Sequence, residues 1–268
     1  MNILCKLLGI TTNASAHGLF IDHMLEVVHW FMFALFIGWS IFLAYCFWRF
    51  HRSRNPRASY TGNKSKLSTH IEIGVVGIEA MLLLGFAFPI WAQRVAKNQL
   101  PDPAESVVVH AVAEQFGWNF HYPGPDGKFG RRSLSLVSAS NPIGLNPADP
   151  DGADDFVAKN SMVLPLNKPA VVYISSKDVI HNYGVPAMRV GQDAIPGMQV
   201  PIWFTPVRTG TFDIVCAQLC GANHANMVGV LEVQNPDEFD SWLKSKAPAP
   251  VPAAAAQASV LAPVVPKG

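Results

Sequence analysis

A chain of 268 residues has room for one medium-sized domain and something more. Half of its residues are apolar and only 15% are charged, which leans toward attachment to a membrane. A formal net charge of +1 gives no support to nucleic acid as a partner. Four cysteines (Cys5, Cys46, Cys216 and Cys220) are too few for a disulfide framework in a chain this long.

Residues 1–28 form an N-terminal segment expected outside the cytoplasm. Ala14-Ser15-Ala16 resembles a signal cleavage site, but the apolar run before it, Leu7 to Ile10, is too short for a signal. His29 to Trp48 is almost wholly apolar, about 20 residues or roughly 30 Å as a helix, enough to cross a bilayer. Trp30 and Trp48 stand near its ends as interfacial anchors, and Cys46 reads as a small packed apolar residue. A second apolar run covers Ile73 to Trp91. The connection between them, residues 49–72, carries Arg49, Arg52, Arg54, Arg57, Lys64 and Lys66. The positive-inside rule therefore makes it cytoplasmic and puts both chain ends on the opposite side. Glu72 stands at the cytoplasmic mouth of the second span. Its plain reading is an interfacial carboxylate favoured by the helix dipole; its sharper reading is a proton-entry group for a partner subunit. Glu79 lies deeper, where a carboxylate must be protonated or face a protein partner.

Residues 92–246 read as a separate extracytoplasmic domain. Short β-type runs at Ser106–Ala113, Phe116–Tyr122, Met162–Pro165, Ala170–Ser175, Val200–Thr205, Gly210–Cys216 and Val228–Val233 are separated by turn signals such as Pro123-Gly124-Pro125-Asp126-Gly127. With no long helical pattern among them, they predict a β-sandwich or barrel. Asn141–Phe156 is expected to be a long solvated loop, with Asp149, Asp151, Asp154 and Asp155 facing water rather than holding calcium. Asp237–Lys246 reads as a short amphipathic helix, and the Ala/Pro/Val-rich residues 247–268 as a disordered tail.

Within the domain, the stretch from Cys216 to Met227 gathers Cys216, Cys220, His224 and Met227. Thiolate and thioether beside imidazole is the ligand set that copper prefers. One cysteine suffices for a mononuclear copper loop, so two could bridge a pair of ions. That arrangement lacks one terminal imidazole. His181, in the loop expected after Ala170–Ser175, supplies it if the two loops meet at one end of the sandwich. Alone, His181 would be an ordinary loop histidine.

These residues, in DVIHNYGVPAMRVGQDAIPGM and CAQLCGANHANMVGVLEV after two spans, resemble subunit II of the haem–copper cytochrome c oxidases over most of residues 20–245. The resemblance implies two transmembrane helices followed by an all-β cupredoxin-like Greek-key barrel or sandwich. It implies a binuclear copper centre, CuA, bridged by Cys216 and Cys220. His181 and His224 would be terminal ligands, Met227 a weak ligand, and the Gln218 carbonyl another. Electrons would come from cytochrome c or a membrane-bound cytochrome and pass to haem in subunit I, where oxygen is reduced and protons are translocated. The implied partners are subunit I, subunit III and membrane lipid, and the implied location is a bacterial-type plasma membrane. Glu72 falls where the family places a carboxylate at a proton-channel entry.

The departures are specific. Gln218 replaces the family's Glu, whose side chain binds magnesium or manganese at the subunit I interface; that carboxylate is missing here. Gly191–Met198 replaces Lys-x-Asp-x-x-Pro-Gly-Arg, keeping Asp193 but losing two basic residues. Gln115-Phe116-Gly117-Trp118 replaces Gln-Trp-x-Trp, so Phe116 stands where the family has its electron-entry Trp, and Phe116 and Trp118 are the candidate electron-entry residues. Three alternatives remain open. A quinol oxidase subunit II would lack the copper ligands, and a nitrous-oxide-reductase-type domain would lack the two spans. A membrane-anchored binding module with a Cys216–Cys220 disulfide would leave the histidines and Met227 unexplained.

Overall fold

The computed structural model describes residues 6–58, 60–62, 65–96 and 99–246. Cys5, Lys64 and the tail expected at 247–268 lie outside them. The chain divides into a helical unit and a β unit, and residues 14–16 belong to the second.

In the helical unit, α1 spans Gly18–Phe50 and α2 spans Leu67–Val95. Both are long and apolar enough to cross a membrane. α1 exposes large apolar side chains such as Phe36, Ile41 and Phe47 around its circumference, the pattern of a helix solvated by lipid. It starts well before the apolar run at His29, because its backbone ladder continues through the polar turn holding Asp22, His23 and Glu26. Within α2, Leu83–Ala87 widens into a π turn, with the Phe88 N–H bonded to the Leu83 carbonyl. This widening comes just before Pro89, which has no N–H to give to the preceding turn. Glu72 and Glu79 both lie on α2, two turns apart and so on one stripe.

The β unit is a sandwich of two five-stranded sheets. Its strands are β1 (Val107–Glu114), β2 (Gly117–Tyr122), β3 (Phe156–Lys159), β4 (Ser161–Pro165), β5 (Ala170–Ser176), β6 (His181–Val185), β7 (Val190–Ala194), β8 (Val200–Phe204), β9 (Gly210–Cys216) and β10 (Val228–Gln234). One sheet has the order β3-β2-β1-β5-β8 and the other β4-β10-β9-β6-β7. β1 runs parallel to β5 and β4 parallel to β10; the other pairings are antiparallel. Alternate residues fill the space between the sheets: Val109, Ala111 and Ala113 from β1, Trp118, Phe120 and Tyr122 from β2, and Ile214 from β9. Each large side chain buried this way contributes about 1.5–3 kcal/mol. The Tyr122 hydroxyl both donates to the Val163 carbonyl and accepts from the Val163 N–H, tying β2 to β4 across the core. α3 (Pro236–Lys246) packs Trp242 against Tyr122 and Phe156.

Two expectations are corrected. β3, β6 and β7 are strands that short, polar or glycine-containing sequence concealed; their pairing with neighbours creates them. The acidic loop is not simply solvated. Asp155 is buried and accepts from His121 Nε2 at 2.6 Å and from the Gly130 N–H at 2.8 Å. Asp149 is buried as well and takes the Arg131 side chain and N–H. Buried carboxylates require such partners, and the loop folds to provide them. Residues 14–16 of the N-terminal segment are built into the β unit: the Ala14 N–H bonds the Ala187 carbonyl, and the Ser15 hydroxyl bonds the Met188 carbonyl.

The loop formed by residues 123–155 packs on the outer side of the first sheet. His110, from β1, stacks on Phe129 with ring centroids 3.9 Å apart, and Lys177 donates to the Pro142 carbonyl.

Candidate metal centre

β9 ends at Cys216 and β10 begins at Val228, and the Cys216 N–H bonds the Met227 carbonyl at 3.2 Å. The stretch between them is therefore a loop closed at its base. A short 3₁₀ turn at His224–Asn226 shapes its far side. β6 lies next to β9, with Tyr183 opposite Cys216, and the Ala217 N–H bonds the Asn182 carbonyl. That pairing brings His181, the first residue of β6 rather than a loop residue, to the mouth of the loop.

The donor atoms form a short series. His181 Nδ1 is 3.9 Å from Cys216 Sγ, Cys216 Sγ is 3.8 Å from Cys220 Sγ, and Cys220 Sγ is 3.6 Å from His224 Nδ1. Met227 Sδ lies 3.1 Å from His181 Nδ1 and 3.7 Å from Cys220 Sγ. The Gln218 carbonyl oxygen is 3.2 Å from Cys216 Sγ, while the Gln218 side chain is exposed. His181, Cys216, Cys220 and Met227 are buried, and His224 is partly exposed. Two sulfurs sharing one tetrahedral cation stand about 3.8 Å apart, so the thiols fit a common soft metal as they stand.

Burial and hydrogen bonding set the protonation of the groups around the loop. Burial, with the neighbouring Cys216, pushes the Cys220 thiol up to about 11. A soft cation must displace that proton, so metal uptake releases acid. Asp178 Oδ1 accepts from His181 Nε2 at 2.9 Å, which turns Nδ1 and its lone pair toward the sulfurs. Partial burial works to raise the Asp178 carboxyl. Hydrogen bonds from His181 and from the Gln115 and Val179 N–H groups outweigh it and hold the carboxyl below the ordinary range.

The aromatic residues flank the site unequally. Trp118 is wholly buried behind it, its ring 6.3 Å from that of His181. Phe116 is half-buried and lies over Gly221: a Cβ there would come within 3.0 Å of its ring. Gly221 also has φ +140°, a conformation suited to glycine. The structure thus unites His181, Cys216, Gln218, Cys220, His224 and Met227, with Phe116 and Trp118 beside them. Glu72 belongs to the helical unit. Asp178 has no role in the sequence pattern alone; the available signal is a carboxylate three residues before His181.

A β-sandwich that gathers His181, Cys216 and Cys220 at a candidate metal site, in a chain that also carries two helices long and apolar enough to cross a membrane, defines the class: a membrane-anchored protein with a cupredoxin-like domain. A family model described as cytochrome c oxidase subunit II, periplasmic domain, matches residues 107–234. The alternative cytochrome c oxidase subunit 2 of Bradyrhizobium diazoefficiens is 37% identical over 229 residues, covering 85% of this chain and 80% of the relative. Cytochrome c oxidase subunit 2 of Cereibacter sphaeroides is 29% identical over 234 residues, 81% of this chain and 75% of the relative. The crystallised periplasmic domain of subunit II of cytochrome oxidase (CoxB) of Bradyrhizobium japonicum is 31% identical, covers 55% of this chain and 95% of its own, and has a TM-score of 0.40. The chain belongs to the cytochrome c oxidase subunit II family. It is accordingly a membrane protein with an extracytoplasmic C-terminal domain.

Proposed function

We propose that this chain is the electron-accepting subunit of a haem–copper terminal oxidase and that its loop holds a binuclear CuA centre. The observation that carries the reading is the order of the donors: two thiols in the middle and an imidazole at each end. Cys216 and Cys220 would bridge the ions. His181 and Met227, with donor atoms 3.1 Å apart, would serve one of them. His224 and the Gln218 carbonyl would serve the other. When bound, the copper pair supplies a one-electron relay with little change in bonding. The sandwich holds the ligands rigid, Met227 and the buried rings exclude water, and Phe116 covers the loop from outside. Retention of every soft ligand argues against a quinol oxidase subunit.

The electrons would come from cytochrome c, or from a membrane-bound cytochrome given Phe116 at the entry position. They would pass to haem in subunit I for oxygen reduction and proton translocation, in a complex that includes subunit III and sits in a bacterial-type plasma membrane. Glu72 is the proposed proton-entry group. The exposed Gln218 carboxamide does not fit a magnesium or manganese site, which prefers carboxylate oxygen, so no step is assigned to that metal. The test is rapid mixing of the copper-loaded full chain, in detergent, with reduced cytochrome c. Oxidation of the cytochrome in step with reduction of the copper supports the reading. Loaded copper that cytochrome c leaves oxidised would sink it as the donor.

A further inference from the structure

We infer that Gln115 is a positioning residue that fastens the two halves of the metal-ligand set together; the inference rests on the copper reading above. The ligands come from two places in the chain. His181 opens β6, whereas Cys216, Cys220, His224 and Met227 lie on the β9–β10 loop. Gln115, in the turn between β1 and β2, reaches both. Its N–H donates to Asp178 Oδ2 at 2.7 Å, and the other oxygen of that carboxylate holds His181 Nε2 at 2.9 Å. Its side-chain Nε2 donates to the Cys220 carbonyl at 2.6 Å. One residue of the opposite sheet thus anchors the histidine's hydrogen-bond partner and the backbone of a bridging cysteine.

The loop is shaped to receive this contact. A Cβ on Gly221 would stand 2.8 Å from Gln115 Nε2 and 3.0 Å from the Phe116 ring, so only glycine lets the turn come this close. Among the described residues, Gln115 supplies the side-chain donor to the Cys220 carbonyl. Without that donor, the stretch from Cys220 to His224 would depend on its own short turn, and the Cys220 sulfur could shift relative to Cys216. Partners at this distance from a metal tune ligand orientation, and their loss typically costs about 10- to 100-fold in metal affinity.

The test uses the full chain in detergent, with Gln115→Met removing the donor while keeping the length. Readouts are the copper EPR hyperfine pattern and the rate of copper loss to a chelator, with the melting temperature of the metal-free chain as the folding control. The expected result is an unchanged metal-free melt, an altered hyperfine pattern and copper loss faster by about tenfold or more. Gln115→Lys, which restores a donor, should recover slow loss. Gln115→Glu, which turns acceptor oxygens on the Cys220 carbonyl, is the second variant if Gln115→Met fails to fold, and should release copper as quickly. If the wild type loads two coppers and the donorless variants match it in spectrum and rate, the inference is overturned while the copper reading stands. A wild type that does not load two coppers overturns both.

Discussion

His181 Nδ1 and Met227 Sδ stand 3.1 Å apart, although 46 residues separate them in the chain. The pairing follows from β6 lying beside β9: one strand starts at the histidine, and the loop leaving the other ends at the methionine. Met227 is then a soft, weak donor beside a strong one. Met227→Leu should retain both coppers and shift the reduction potential, as voltammetry of the loaded chain would read. Loss of all copper would contradict the weak-ligand role.

His110 packs between Phe129, His121 and Tyr173. Burial, with smaller contributions from the charges of Arg132 and His121, brings its pKa down to about 3. In the unfolded chain a histidine takes its proton near pH 6.5. Between those values the unfolded state binds a proton that the folded state refuses, so stability falls as the pH falls from about 6.5 toward 3. His110→Phe should flatten that acid limb by about one proton. Melts of the β unit followed by near-ultraviolet circular dichroism across this range provide the check; an unchanged slope would count against it.

Asp155 and His121 are both fully buried at the side chain and joined at 2.6 Å. Asp155→Ala would orphan His121 together with the Gly124 and Gly130 N–H groups. A loss of about 3 kcal/mol or more is expected, by denaturant unfolding. A change below about 1 kcal/mol would mean that the 123–155 loop is held elsewhere.

Most of the sandwich and the soft side chains of the β9–β10 loop were legible because each carries a local signature: alternating apolar residues for β1 and β9, and Cys, His and Met at close spacing for the loop, whereas His181 gains its place only beside that loop. What escaped depends on distant partners. Gly191 and Asp193 give β7 no strand pattern, yet β6 pairs with it residue by residue. Asp155 looked like a solvated loop acid because His121 is 34 residues away. Asp178 and Gln115 are ordinary in sequence and acquire their place only when the β1–β2 turn, the start of β6 and the metal loop meet.

Glu72 can be tested only in the assembled oxidase. Glu72→Gln keeps the shape and removes the charge. Turnover and proton uptake should fall if Glu72 is the proton-entry group, with copper content unchanged. Normal turnover would leave it the interfacial carboxylate of its plain reading.

On the proposed reading, the β9–β10 loop holds two coppers bridged by Cys216 and Cys220. Reducing the full chain in detergent, loading it with copper, and measuring copper per chain alongside the EPR spectrum tests it most directly. The expected result is two coppers per chain with one electron delocalised over both, and loss of that signal in Cys216→Ser and in Cys220→Ser. One copper, none, or a Cys216–Cys220 disulfide that copper cannot replace would contradict it.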